Sequence, residues 1–185
     1  MLVNIKHPMS VLYQNWQARR CKQNNCMQIV EITGAFSMDT GAPEPFLVSN
    51  ENKVGLLFHA AEEDEYLNTA TAYLPLLVIS KFSKCLKFSL GSPNDETLSG
   101  HPLYKHGLNS YGLFEVKGSP LIDDLKAINS VHPYYNKELY EAARHFIITF
   151  HDSTFECVAE SYQVTVKRAP VAVARMELMD ALHHE

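Results

Sequence analysis

The sequence predicts an α+β fold with a mainly antiparallel sheet of roughly six to eight strands and two or three helices packed on it. The first observation is that short segments rich in β-branched and aromatic residues follow one another with turn residues between them. Parallel strands would require a crossover helix between most successive strands, and few helical patterns are present. The second observation is that the 185 residues are 46% hydrophobic and 20% charged, which is typical of a globular protein. We therefore expect a single domain over residues 1–185.

Strand patterns occur along most of the chain. Residues 27–36 alternate between apolar and polar side chains and are rich in β-branched residues. Residues 45–49 and 53–60 form a hairpin pattern around the turn residues 50–52. Further strands are predicted at residues 71–80, 85–90, 111–118, 144–150 and 155–166. Pro75 lies inside a predicted strand and indicates an edge position or a bulge, because proline cannot donate to a ladder.

Three segments have helical patterns. Residues 10–20 end in basic side chains, which suit a helix C-terminus. Residues 119–133 carry the clearest signals, because Ser119 can cap the helix and Pro120 suits its first position. The stripe predicted to be buried on this helix consists of Leu121, Ile122, Leu125 and Ile128. Residues 171–182 have helical spacing and high helix propensity.

The charge pattern and the apolar segments exclude several classes of partner. The formal net charge of −5 argues against nucleic acid, because nucleic-acid-binding proteins collect Lys and Arg on one face. The most apolar stretch, residues 72–79, is far shorter than the roughly 20 residues needed to cross a bilayer, so no membrane association is predicted. The first residues lack a signal-peptide pattern, and the expected location is the cytoplasm.

The cysteines and the acidic run give no metal site. Cys21 and Cys26 have the spacing of half a zinc site, but no second pair of ligands follows at a matching distance. We favour structural or incidental cysteines, reduced in the cytoplasm. The acidic residues 62–65 cannot all face one ion, and a solvated turn explains them better. No metal and no cofactor is predicted.

The segment FHDSTFE, residues 150–156, has two interpretations. Residues 151–154 fit a four-residue hairpin loop in which the Asp152 carboxylate accepts a hydrogen bond from the Thr154 N–H. Glu156 would then lie on the strand, on the face opposite to Phe155. In the functional interpretation, His151 with Asp152 or Glu156 forms a base and its carboxylate, or two ligands of a divalent ion. We favour the hairpin.

The polar segment 91–110 is the better candidate for a binding site. It is longer than most loops and is therefore either functional or well packed. Its candidate ligand-binding side chains, to which we add His151 and Asp152, are Asn94, Asp95, Glu96, His101, Tyr104 and His106. The competing interpretation is a structural one, in which residues 93–95 form a turn and Gly100 and Gly107 supply special backbone angles.

Established catalytic motifs are missing from the sequence. It contains no phosphate-binding glycine loop, no G-x-G-x-x-G and no G-x-S-x-G. Cys157 could act as a nucleophile beside His145 or His151, but a cysteine inside a strand is more often a core residue.

The segments PNDE…GHPLY and FHDSTFE together resemble a family of small uncharacterised bacterial proteins. The resemblance covers about the C-terminal half of the chain. It implies no particular activity, and it implies that the two segments belong to one structural unit.

Two functional hypotheses follow. We favour a non-enzymatic binding or accessory protein, of the immunity or regulatory type, that binds a protein or a small-molecule ligand through residues 91–110. The alternative is a small hydrolase, with or without a metal, that uses His101, His151 and Asp152 or Glu156. The sequence leaves open whether the protein is an enzyme. It also leaves open a homo-oligomer, formed through a strand edge at Pro75 or through the C-terminal helix.

Overall fold

A computed structural model of the chain describes residues 27–61 and 74–183. The predicted helix at residues 10–20, the pair Cys21 and Cys26 and the acidic run 62–65 lie outside the described residues. Within them the α+β class and the antiparallel pairing are confirmed. No helix of this part of the chain is long and apolar enough to span a membrane.

Nine strands and two α-helices make up the described part of the chain. The strands are β1 (Gln28–Glu31), β2 (Phe46–Ser49), β3 (Lys53–His59), β4 (Leu76–Ser83), β5 (Lys87–Gly91), β6 (Leu113–Lys117), β7 (Arg144–Thr149), β8 (Thr154–Ala159) and β9 (Ser161–Arg168). The helices are α1 (Pro120–Asn129) and α2 (Val171–His183), and short 3₁₀ turns occur at Leu98–Gly100, Tyr104–His106 and Lys137–Tyr140.

The strands form two antiparallel sheets rather than one. The five-stranded sheet has the order β1-β6-β7-β8-β5, and the four-stranded sheet has the order β2-β3-β4-β9. Nine strands exceed the six to eight predicted because the pattern at residues 155–166 contains two strands. The chain passes from one sheet to the other at Glu160, whose N–H donates to Ser83 O at 3.1 Å.

The two sheets pack face to face and enclose the main core. Phe82 of the four-stranded sheet contacts Phe146 and Phe155 of the five-stranded sheet, with ring centroids 5.6 and 5.3 Å apart. Aromatic pairs at these distances stabilise a core beyond the area they bury. The remaining buried residues between the sheets include Val54, Leu56, Phe58, Val78, Leu113, Ile148, Phe150 and Cys157.

A helix covers the outer face of the four-stranded sheet. Ala174 and Leu178 of α2 are buried against Leu57 and Leu77. Leu178 also lies directly over Gly55, where a Cβ atom would come within 2.5 Å of its Cδ1 atom. Helix α2 therefore approaches the sheet closely at a position that has no side chain.

Segment 91–110 and α1 cover the outer face of the five-stranded sheet. Leu98, Leu103 and Leu108 are buried in a cluster with Phe114 and Ile147 of the sheet. The predicted polar loop is therefore anchored by three leucines at intervals of about five residues. It packs on the sheet as a covering layer.

Two predictions about local packing are wrong. Pro75 precedes β4, an interior strand between β3 and β9 with continuous register, so the expected edge or bulge does not exist. Proline disturbs no pairing there because, among the described residues, the ladder of β4 begins at Leu76. Ile128 was expected in the buried stripe of α1 but is 66% exposed, because only the N-terminal half of α1 packs on the sheet.

Candidate functional site

The outer face of the five-stranded sheet carries a histidine and a glutamate on neighbouring strands. His145 pairs with Val158 and Glu156 pairs with Ile147, so the histidine and the glutamate lie diagonally across β7 and β8. His145 is 1% exposed, and its Nε2 atom lies 2.9 Å from Glu156 Oε1. Its Nδ1 atom lies 2.7 Å from the Ser119 hydroxyl oxygen. Both nitrogens of the buried imidazole therefore have partners.

The hydrogen bond that caps α1 indicates which atoms donate and which accept in this chain of hydrogen bonds. The Ser119 oxygen accepts from the Ile122 N–H at 3.3 Å and so caps α1 as predicted. Its own proton is then available for His145 Nδ1, and the ring proton on Nε2 donates to Glu156. In a neutral His145 ring this pattern places the proton on Nε2, because each proton then has an acceptor.

Segment 91–110 completes a cleft above this pair. The cleft has a volume of about 440 Å³. It is lined by His101, Pro102, Leu103, Pro120, Leu121, Asp124, His145 and Glu156. We call it the His101 cleft. Its walls come from segment 91–110, from the first turns of α1 and from the sheet.

His101 presents a hydrogen-bond donor in this cleft. Its Nδ1 atom accepts from the Leu103 N–H at 3.2 Å, so the neutral ring carries its proton on Nε2. Burial lowers the pKa of His101, the charge of Glu156 opposes this change, and His145 adds to it. The lowered pKa favours the neutral ring.

Glu156 is an ionised carboxylate at the base of the cleft. Burial alone raises its pKa, but the hydrogen bond that Glu156 accepts from His145 and the positive charge of Lys87 act in the opposite direction. The pKa of Glu156 therefore lies below its usual range. Its side chain is 28% exposed, so the carboxylate is accessible from the cleft.

A second cluster forms where segment 91–110 meets the turn between β7 and β8. The Asp95 N–H donates to His151 O at 2.9 Å, and the Thr154 hydroxyl donates to Pro93 O at 2.9 Å. The Tyr111 hydroxyl donates to Asp95 Oδ2. These bonds hold both segments at the same end of the five-stranded sheet. We call this group the turn cluster.

The turn cluster is open to solvent and its groups shift one another's pKa values. The hydrogen bond to Asp95 raises the pKa of Tyr111 to about 12 and lowers the pKa of Asp95. The hydrogen bond to Asp152 raises the pKa of His151, helped by the charges of Asp95 and Glu96. Tyr111 has a φ of 62°, which is unusual for a residue other than glycine. The bond to Asp95 helps to hold it in that conformation.

The hairpin prediction for residues 150–156 is confirmed, with two corrections. The link between the strands comprises residues 150–153, because Thr149 pairs with Thr154 and the Phe150 N–H donates to Ser153 O at 2.8 Å. Asp152 does not cap its own backbone as expected. Its carboxylate lies 2.9 Å from His151 Nδ1, so the turn brings these two side chains together. Glu156 faces away from Phe155, as predicted.

The predicted site residues fall into separate groups. His101 lines the His101 cleft, and Asp95, His151 and Asp152 belong to the turn cluster. Asn94 caps the turn before Leu98–Gly100 by accepting from the Thr97 N–H and hydroxyl. The remaining three, Glu96, Tyr104 and His106, are exposed. Of the two glycines, only Gly107 has a positive φ, at 104°.

Most residues that line the His101 cleft were not predicted as site residues from the sequence. Ser119 was identified only as a cap and His145 only as a partner for Cys157. Cys157 is fully buried between the sheets, whereas His145 faces the outer side, and burial raises the pKa of the thiol, which is therefore a core residue. The alternation of side chains along β7 could have indicated the position of His145, because it places His145 and Ile147 on the same face of the strand.

Neither metal ligation nor similarity to other proteins identifies the site. Among the described residues, no group of three or more His, Cys, Asp or Glu side chains is placed to hold a metal ion. Comparison with protein-family models, with curated proteins and with solved structures finds no match. Any function must therefore be argued from the geometry of the chain itself.

Proposed function

We propose that the protein binds a small molecule in the His101 cleft and does not hydrolyse it. The observation that carries this proposal is the cleft itself, in which His101 of segment 91–110 lies above the His145–Glu156 pair. Its volume of about 440 Å³ is within the usual range of small-molecule sites, roughly 300–1,000 Å³. Apolar walls with a few converging polar groups are also typical of such sites.

The proton positions argue against general base catalysis in the cleft. A histidine base needs an unprotonated nitrogen directed at the substrate. In His101 that nitrogen is Nδ1, which the Leu103 N–H occupies. In His145 both nitrogens are occupied by Ser119 and Glu156. The two imidazoles are therefore suited to orienting and holding a ligand.

Ser119 is also unsuited to nucleophilic attack. Its hydroxyl is committed to the Ile122 N–H and to His145, and the residue is 4% exposed. A serine nucleophile must reach the substrate carbon, and Ser119 is not among the residues that line the cleft. The Ser119–His145–Glu156 chain is better explained as a rigid support for the carboxylate.

The hydrolase hypothesis requires residues that do not share a site. His101 and Glu156 line the cleft, while His151 and Asp152 lie in the turn cluster. The side chains of His151 and Asp152 are 42% and 86% exposed, so water is not excluded from them. An enclosed environment is what makes such groups effective in catalysis. This separation supports binding over hydrolysis.

The proposal can be tested by nuclear magnetic resonance on protein labelled at histidine. A fragment library containing cations, anions and neutral compounds is added at neutral pH, and we expect saturable shifts of the His101 and His145 ring signals. In Leu121→Trp, which fills the cleft, these shifts should disappear. In Leu139→Trp, which places the same ring at a 69% exposed position, they should remain.

Two results would contradict the proposal. One is that no fragment of any charge perturbs the two histidines. The other is turnover of an ester, amide or phosphoester substrate that is lost in His101→Gln.

A further inference from the structure

We propose that the His101 cleft selects small organic cations, namely ammonium or guanidinium compounds that carry a short apolar chain. This inference rests on the proposed binding function of the cleft and names the chemistry of its ligand. It follows from the ionised carboxylate of Glu156, from the charges around that carboxylate and from the apolar walls of the cleft.

Within the described residues, one oxygen of the Glu156 carboxylate accepts no hydrogen bond. Oε1 accepts from His145 Nε2 at 2.9 Å. No donor of residues 27–61 or 74–183 makes a hydrogen bond to Oε2. A partly buried carboxylate is stabilised by a charged donor more than by a neutral one. An ammonium or guanidinium group at Oε2 would supply that donor.

The other groups of the cleft do not favour an anion. Asp124 adds a second carboxylate, and the lowered pKa of His101 favours its uncharged ring. Lys87 on the neighbouring strand acts on Glu156 through its charge but does not line the cleft. The formal charge of the lining is therefore negative.

The N-terminus of α1 offers little to an anion. Helix N-termini attract anions through free N–H groups. Here Pro120 has no N–H, Ile122 donates to the Ser119 hydroxyl, and Asp123 donates to Ser119 O at 3.4 Å. Judged from the residues that the structure describes, only the Leu121 N–H remains in the first turn, so the helix end does not reverse the preference set by Glu156.

The walls of the cleft determine the rest of the ligand. Pro102 and Leu103 form one side, and Pro120 and Leu121 form the other. These side chains have no hydrogen-bonding groups, so they suit the methylene groups of an alkyl chain. His101 Nε2–H adds one donor, which suits a hydroxyl or carbonyl oxygen beyond the chain.

Three probes of equal length separate charge from size: butylammonium, butyrate and butanol. Each is titrated at neutral pH while the His101 and His145 ring signals are recorded. We expect butylammonium to bind at least about tenfold more tightly than the other two, a difference of roughly 1.4 kcal/mol. Glu156→Gln, which keeps the acceptor for His145 but removes the charge, should lose about tenfold in affinity.

Two further variants make the test specific. Asp124→Asn removes the second carboxylate from an exposed position and should weaken butylammonium binding by about two- to threefold, because exposed charges are screened. Glu160→Gln removes a carboxylate that bonds to Lys84 outside the cleft, and it should leave the affinity unchanged.

The outcomes distinguish this inference from the proposed function. Tighter binding of butyrate or butanol, equal binding of all three, or unchanged affinity in Glu156→Gln would overturn the cation preference while leaving the cleft a binding site. If none of the three probes shifts the histidines but a library fragment does, only the cation preference fails. If no compound shifts them, both proposals fail.

Discussion

Ser119 links the start of helix α1 to the histidine in the sheet. We expect Ser119→Ala to lower the free energy of unfolding by about 2–3 kcal/mol. Roughly 1 kcal/mol is the loss of the helix cap, and the rest arises because a nitrogen of the buried His145 ring loses its partner. Urea unfolding followed by circular dichroism measures the change.

Ser130 provides the control at the other end of α1. Its hydroxyl donates to Ala127 O at 2.7 Å and is exposed, so Ser130→Ala should change stability by less than about 0.5 kcal/mol. Equal effects of the two substitutions would show that the buried connection to His145 contributes nothing.

Tyr111 provides a spectroscopic test of the turn cluster. Its hydroxyl donates to the Asp95 carboxylate, and this bond, with burial and the Asp95 charge, raises the pKa of Tyr111 to about 12. We expect the Tyr111 ring to remain protonated at about pH 11, where an ordinary tyrosine with a pKa of about 10 is largely ionised. In Asp95→Asn the ring should ionise earlier.

The measurement is an absorbance titration of the wild type minus that of Tyr111→Phe, which isolates one phenol among the nine tyrosines. Ionisation of Tyr111 near pH 10 in the wild type would mean that the bond to Asp95 is not maintained in solution.

Among single residues, the sequence identified structural roles more readily than site roles. Ser119 was predicted as a cap from its position before Pro120, because capping is a local interaction. His145 and Glu156 come together only after two strands pair with a given register, and no local rule contains that register. The same reason explains why His101 and His151 were grouped although they lie in different clusters.

The packing of helix α2 on the four-stranded sheet depends on a glycine. A Cβ atom at residue 55 would meet Leu178 Cδ1 at 2.5 Å and Cγ at 3.2 Å, and Leu178 is 1% exposed. Gly55→Ala should therefore push the helix away from β3 and cost about 1–3 kcal/mol, as overpacking usually does. Chemical denaturation gives the value.

A matched glycine and a double mutant make this test decisive. Gly91 lies in a strand with no atom within 4 Å of an added Cβ, so Gly91→Ala should change stability by less than about 0.5 kcal/mol. Leu178→Ala removes the clashing group, and the double variant with Gly55→Ala should cost less than the sum of the two single changes. If the losses of stability from Gly55→Ala and Leu178→Ala were additive, the contact between residues 55 and 178 would not be the cause of the destabilisation.

Secondary structure elements were predictable where their signal is local. The β7–β8 hairpin and the start of α1 follow from turn and cap residues. The division of residues 155–166 into β8 and β9 was missed, although the buried positions change phase there. Phe155 and Cys157 face the core at odd positions, whereas Tyr162 and Val164 face it at even positions. That change of phase was the available signal for a crossing between sheets.

At the scale of the whole molecule, the division of the strands into two packed sheets could not be predicted from the sequence. Strand patterns show which residues are buried but not which sheet a strand joins. Segment 91–110 illustrates this limit, because its polar residues predicted a loop while Leu98, Leu103 and Leu108 anchor it on the sheet. The cleft exists only because this segment and α1 cover the same face.

Two neighbouring strands of the five-stranded sheet carry an ion pair that should make stability dependent on pH. Glu115 on β6 is 6% exposed and accepts from Arg144 Nε at 2.9 Å and Nη2 at 2.6 Å. Arg144 in turn lies 5.8 Å from the centre of the Tyr162 ring of the other sheet. The bond from Arg144 lowers the pKa of Glu115, burial opposes the change, and Lys117 adds to it.

The sign of the effect follows from the lowered pKa. A carboxylate whose pKa is lower in the folded state stabilises that state above its unfolded pKa of about 4.3, and this contribution is lost as the pH falls through the folded value. Glu115→Gln should therefore lower the free energy of unfolding by about 1–2 kcal/mol at pH 7, where Arg144 loses a charged partner. The difference from the wild type should shrink steadily as the pH falls below about 4.

Guanidinium chloride unfolding of both proteins from pH 7 to pH 3 measures that difference. Glu160→Gln removes an exposed ion pair with Lys84, so it should change stability by at most about 0.5 kcal/mol at either pH. A difference for Glu115→Gln that stays constant or grows on acidification would mean that the side chain acts through its shape rather than its charge. A shrinking difference would show that Glu115 stabilises the fold through its charge.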